Sequence, residues 1–207
     1  MHLFSIHYLP QINYLKALLN ADEIKFEMEE HFQRQTYRNR CEIYTADGMH
    51  KLVVPIDHSQ SKEGRSRMRD VRIAYADNWQ LQHKRTIQSA YQSSSYYEYF
   101  EAEFNTLFDK KYHFLVDFNL AALEMIHSFL KLPLQFSMTN EYFRTPKDMI
   151  DSRETFTSNN HEVKKEYYQV FQTKKVSLGT LVASTCFLIL DLKDYLNILS
   201  NNAAMPY

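Results

Sequence analysis

Only three of the 207 residues are glycine, Gly48, Gly64 and Gly179, and they lie far apart. A chain of this length with average usage would carry about fourteen. The spacing excludes a G-x-G-x-x-G dinucleotide turn, a Walker-type phosphate loop and a G-x-S-x-G nucleophile elbow, each of which needs glycines close together. Any phosphate or oxyanion must therefore be held by side chains or by an ordinary helix N-terminus, not by a glycine-built cradle of backbone N–H groups. Tyrosine and phenylalanine, with 15 and 14 copies, fill the space that glycine leaves.

Length and charge narrow the class further. A chain of 207 residues suits one domain with a sizeable core, and 1–207 is expected to form a single domain. Lys and Arg number 24 against 25 Asp and Glu, a net charge of -1. That argues against nucleic acid as a partner, because its binding needs a basic excess. Two cysteines, Cys41 and Cys186, and no recognisable signal peptide point to a reducing cytoplasm. The stretch from Val176 to Leu190 is apolar and uncharged, but too short to span a bilayer, so no stable membrane insertion is expected.

Periodicity along the chain predicts an α/β fold: a mixed sheet with flanking helices and a mainly helical C-terminal half from about residue 79, with α+β as the alternative. Leu3 to Leu9, closed by Pro10, reads as a first strand or extended segment, and Ile12, Leu15, Leu18 and Leu19 recur at helical spacing. In EIKFEM, Ile24, Phe26 and Met28 alternate with charge, which predicts a half-buried strand. CEIY and KLVVPI flank the turn-forming Ala46-Asp47-Gly48 and read as a strand pair. The polar stretch from His58 to Arg69 is the candidate loop, and DVRIAY at 70–75 alternates as another strand. Asp77 and Asn78 suit the N-cap of a helix from Trp79 to about Gln92. Further helices are predicted near 96–110 and 113–130, a short strand over 134–139, and a final helix over roughly 178–199.

The densest chemistry is in EEHFQRQTYRNRC, residues 29–41. Arg34, Arg38 and Arg40 offer planar forks that match carboxylate or phosphate. Gln35 and Asn39 can read an amide or hydroxyl, and Tyr37 can stack on a ring. The run directly follows a predicted strand, where α/β proteins place ligands; a solvated connector is the plainer reading. A second concentration lies over 79–91. There Trp79, His83, Ile87 and Tyr91 are four apart and share one helix face. His83 on that face is either a hydrogen-bonded core histidine or a general acid/base. His7 ends the first predicted strand, a position that suits a phosphate contact, with turn packing as the alternative. No H-E-x-x-H or comparable spacing occurs, so no metal site is expected.

Read in succession, several short motifs resemble the WbqC-like family of bacterial proteins. They are Tyr8 to Pro10 with Tyr14, the acidic-then-QTYRNRC run from Glu29 to Cys41, Leu52 to Pro55, Trp79 to Phe100 with its W-x-x-x-H-x-x-T-I-x-x-A-Y core, and YYQVF at 167–171. The TYRNRC form is similar to a branch common in Bacteroidetes-type bacteria. The C-terminal segment departs from the family pattern, with Val182 and Thr185 at its usual serine and acidic positions. Val and Asp stand near 176 and 191, where the family has glycine.

The resemblance implies a cytoplasmic transferase of surface-polysaccharide (O-antigen) biosynthesis, carrying out glycyl or other aminoacyl transfer to a sugar. Its partners would be a nucleotide- or lipid-linked sugar and a small acyl or aminoacyl donor. In that reading Glu29 or His83 is the base, and Arg34, Arg38 and Arg40 hold phosphate or carboxylate. Gln35 and Asn39 orient the acceptor, with Tyr37, Trp79 and Tyr91 as further substrate contacts, and His7 meets the donor phosphate. The alternative is a non-catalytic sugar- or nucleotide-binding partner of a glycosyltransferase. The cofactor is unknown from sequence, and so is the oligomeric state.

Overall fold

The computed structural model describes residues 1–57, 66–94, 97–130 and 135–156. Expectations for 58–65, Tyr96, Leu134, Cys186, the 167–171 motif, the 176–190 stretch and the 178–199 helix lie outside the described residues.

The chain begins as a β-α-β unit. Strand β1 (His2–Phe4) leads through helix α1 (Ile12–Leu19) to β2 (Ile24–Phe26), which pairs parallel to β1 with Leu3 opposite Lys25. The helix forms where the sequence predicts it. Tyr14, Leu15 and Leu18 lie along one stripe and are buried, as an amphipathic helix over a sheet requires. Two late strands complete the sheet: β7 (Phe136–Met138) adds beside β2 and β8 (Ile150–Asp151) beside β1, giving the all-parallel order β7-β2-β1-β8.

Between β2 and β7 the chain makes a long excursion. It contains the hairpin β3 (Arg40–Thr45) and β4 (Gly48–Val53), a second antiparallel pair of β5 (Ile56–Asp57) and β6 (Arg72–Ile73), and helices α2 (Trp79–Tyr91), α3 (Tyr97–Asp109) and α4 (Leu115–Leu130). The fold is α/β, with parallel and antiparallel strands in separate sheets. The predicted strand over 70–75 is reduced to the two residues of β6, and Asn78 caps α2 in position without a side-chain hydrogen bond to it. Helix α4 is central: Leu115, Phe118, Ala122 and Ile126 are fully buried. Phe118 meets Tyr8, Trp79, Phe108 and Tyr112 at ring-centroid distances of 5.3–5.9 Å. Among the described residues no helix is long and apolar enough to cross a membrane.

Gly48, the one glycine among the described residues, uses its backbone freedom. It opens β4 at φ +117°, and a Cβ built there would meet nothing within 4 Å. Its replacement is therefore a conformational problem and not a steric one. Gly48→Ala is expected to cost about 1–2 kcal/mol, read as a lower midpoint in urea; an unchanged midpoint would mean that the turn can adopt a different geometry at no cost.

Candidate functional site

The carboxyl ends of three neighbouring parallel strands supply one place. His7 follows β1, residues 35–38 lie on the segment that leaves β2, Arg40 opens β3 at its end, and Arg153 and Phe156 follow β8. Together they line a cavity of about 50 Å³. A second cavity of about 270 Å³ is lined by Phe32, Arg34, Gln35, Asn39, Arg40 and residues 53–56. Gln35 and Arg40 line both. In open α/β sheets ligands bind outside the carboxyl ends of the strands.

The segment after β2 is solvated only in part: His31, Gln33, Arg34 and Gln35 are exposed, but its two ends are not. Glu29, Glu30, Tyr37, Arg38 and Asn39 are all buried, and most of their polar groups are fixed by side-chain or backbone partners. Arg38 donates from Nε and Nη2 to the two carboxylate oxygens of Glu30, both at 2.8 Å, and from Nη2 also to Ser5 Oγ at 2.8 Å and Glu154 Oε1 at 3.2 Å. The amide of Asn119, in the middle of α4, donates to the Arg38 carbonyl at 2.8 Å. The Tyr37 hydroxyl donates to Glu42 at 3.0 Å. Burial and then the Glu42 charge raise its pKa, so it stays protonated. Arg153 is held by Asp151 through Nε at 2.9 Å and Nη2 at 2.6 Å, and its Nη1 lies 3.5 Å from the buried Glu27.

Arg38 and Arg153 are thus neutralised within the fold, whereas no described residue neutralises Arg40. Its Nε is buried without a hydrogen-bond partner, and it enters no ion pair among the described residues. A buried donor left unmade is costly, and Arg40 lines both cavities. His7, 3% exposed, stacks on Tyr14 with ring centroids 4.3 Å apart, and its Nδ1 also has no partner. Burial, helped by the Arg38 charge, lowers its pKa to about 3, so at neutral pH the ring is an uncharged donor and acceptor. Asn39 donates its amide to the Val54 carbonyl at 3.0 Å, while its Oδ1 is unpartnered. Gln35 has φ +60°, unusual for a residue with a side chain.

The structure therefore brings together His7, Arg34, Gln35, Tyr37, Arg38, Asn39 and Arg40 of the sequence-predicted site. It places four others elsewhere. Glu29 is gripped by Arg67 and Arg69. His83 accepts from or donates to the Tyr8 hydroxyl through Nδ1 at 2.9 Å, and burial lowers its pKa to about 4. The Trp79 indole donates to the Ala74 carbonyl at 3.1 Å, and the Tyr91 hydroxyl donates to the Tyr44 carbonyl at 2.9 Å. None of these four lines either cavity. Sequence reasoning missed Arg153 and Phe156, which only the pairing of β8 with β1 brings in, and it missed Phe32. It quoted Leu52 to Pro55 only as a family motif, although Val53 to Ile56 form a wall of the larger cavity.

Among the described residues no group of three or more His, Cys, Asp or Glu is arranged to hold a metal ion. The arrangement defines an α/β protein with a cationic, side-chain-built pocket at the carboxyl ends of a parallel sheet, suited to an anion. The chain belongs to the WbqC-like protein family, which it matches over residues 6–177. No curated protein and no solved structure matches it.

Proposed function

We propose that the chain acts in surface-polysaccharide assembly, holding a sugar linked through phosphate and adding a small acyl or aminoacyl group to it. The family is named for a gene linked to O-antigen biosynthesis. The observation that carries the reading is Arg40, which lines both cavities and which, among the described residues, has no ion-pair partner and a buried Nε without a hydrogen bond. A phosphate there gains charge-assisted hydrogen bonds from a fork that is already in place. His7 adds a neutral hydrogen-bonding edge. As a buried imidazole it is also the proton acceptor when the sugar's amine or hydroxyl attacks the donor's acyl carbon, because a nearby phosphate favours its protonated form, and it returns the proton to the donor's leaving group as the acyl bond to that group breaks. Glu29 and His83 act indirectly, the first by holding Arg67 and Arg69, the second by fixing Tyr8 beside His7.

Titration calorimetry with UDP-N-acetylglucosamine tests the binding half. Arg40→Gln removes a charged donor worth about 1.5–3 kcal/mol, so roughly 10- to 100-fold weaker binding is expected. Unchanged affinity would remove Arg40 from the site. A second reading, a non-catalytic sugar- or nucleotide-binding module, is favoured by one observation: among the described residues no carboxylate lines either cavity. His7→Gln separates the two. It abolishes transfer by an enzyme, measured as the mass of the acylated sugar, but a binding module forms no such product in either form.

A further inference from the structure

We propose that the larger cavity receives the planar heterocycle of a nucleoside phosphate, so that the phosphate-linked sugar reaches this site on a nucleotide carrier and not on a lipid. The inference rests on the reading of the site given above and narrows its substrate class.

The lining carries the argument. One wall is apolar, built from Phe32, Val53, Val54, Pro55 and Ile56, which leaves few hydroxyl or amide partners for a sugar ring with several hydroxyls. The same lining has two features that hydrocarbon cannot use. Asn39 is 8% exposed, and its Oδ1 is a buried acceptor with no partner. An isoprenoid chain would leave that oxygen unpaired, whereas the ring N–H of a pyrimidine or purine satisfies it. Arg34 lines the same cavity, and a guanidinium stacks on the face of a planar ring. The volume, about 270 Å³, is near the small end of ligand pockets and fits a ring-sized group, not a long chain. Arg40 lines both cavities, so a phosphate attached to the heterocycle's ribose is reached from the same guanidinium while the smaller cavity offers His7.

Calorimetric titration of the full chain with UDP, GDP, pyrophosphate and farnesyl pyrophosphate tests the inference. At least one of UDP and GDP is expected to bind about 10-fold or more tightly than pyrophosphate. Val53 is 46% exposed and lines the larger cavity, so Val53→Trp fills that space from the surface. It should erase the nucleotide's advantage while pyrophosphate binding stays within about twofold. The melting temperature of the variant, measured alongside, checks that it is folded, and Ile56→Phe fills the same cavity from β5 as a second variant.

The inference is overturned if neither nucleotide exceeds pyrophosphate, or if farnesyl pyrophosphate gains most. In both cases a loss of pyrophosphate binding on Arg40→Gln leaves the phosphate reading standing. If no phosphate ligand binds, or Arg40→Gln changes nothing, the phosphate reading falls as well.

Discussion

Arg38→Ala is expected to destabilise the protein by about 3–5 kcal/mol, the cost of leaving one member of a buried ion pair without its partner. For a chain of this size that corresponds to a fall of roughly 6–20 °C in melting temperature. The side chains of Arg38 and Glu30 are 2% and 6% exposed. Burial alone would lower the arginine pKa, but the hydrogen bonds and charge of Glu30 more than offset it, and the net direction is upward. Removing the guanidinium strands the Glu30 carboxylate and frees the Ser5 hydroxyl as well. The double variant Glu30→Met/Arg38→Met should cost much less than the sum of the two single changes, because no charge is then left unpaired. Urea denaturation of the three variants reads the coupling. A loss below about 1 kcal/mol for Arg38→Ala would place the pair among weak, solvent-screened bridges. The prediction also bears on function, since Arg38 lines the smaller cavity and cannot serve a ligand and be freely mobile at once.

The same ion pair marks the boundary between what the sequence discloses and what it conceals. The β-α-β start is legible because α1 and β2 obey simple periods, and the β3–β4 hairpin because Ala46-Asp47-Gly48 is turn chemistry between two apolar runs. The shared face of Trp79, His83, Ile87 and Tyr91 is legible too; it is buried, so the four-residue spacing reports packing and not a substrate surface. The stretch from Glu29 to Asn39 resists reading for a physical reason. A run of charged side chains is cheap at the surface and costly inside unless each charge is paired. Its partners lie far along the chain: Ser5, Arg67, Arg69, Asn119 and Glu154. Local pattern carries no trace of such pairing.

One signal was available. Asn119 interrupts the otherwise apolar stripe of α4 between Phe118 and Ala122, and a polar residue on a buried face implies a polar obligation nearby. Here that obligation is the Arg38 carbonyl. Arg153 gave no comparable sign. It reaches the cavity because β8, only two residues long, pairs with β1 and delivers the chain that follows it beside His7.

Acid is expected to unfold the protein through two of its buried histidines, His7 and His83, with a loss of about 2.7 kcal/mol per pH unit where both take up protons on unfolding. In the folded state burial lowers His7 to about 3, with Arg38 adding to the effect, and His83 to about 4; in the unfolded chain both return to about 6.5. The neutral rings therefore contribute their full stability above about pH 6.5. As the pH falls below that, the unfolded chain binds protons that the folded one refuses, and stability drops. The drop from His83 levels off near pH 4 and that from His7 nearer pH 3. Asp151 acts in a lower window. Its hydrogen bonds from Arg153 hold its pKa below the ordinary 3.8, so its contribution is lost only as the pH falls further. Trp79 is the single tryptophan and its ring centroid lies 5.1 Å from that of His83, so its fluorescence reports unfolding beside one of the two groups. Denaturant midpoints at pH 7, 6, 5 and 4.5 should fall steeply below pH 6.5, and His83→Gln and His7→Gln should each halve the slope. A flat profile from pH 7 to 5 would show that both rings are already reached by water or proton partners in the folded protein. His7 would then lose its standing as the buried, uncharged member of the anion site.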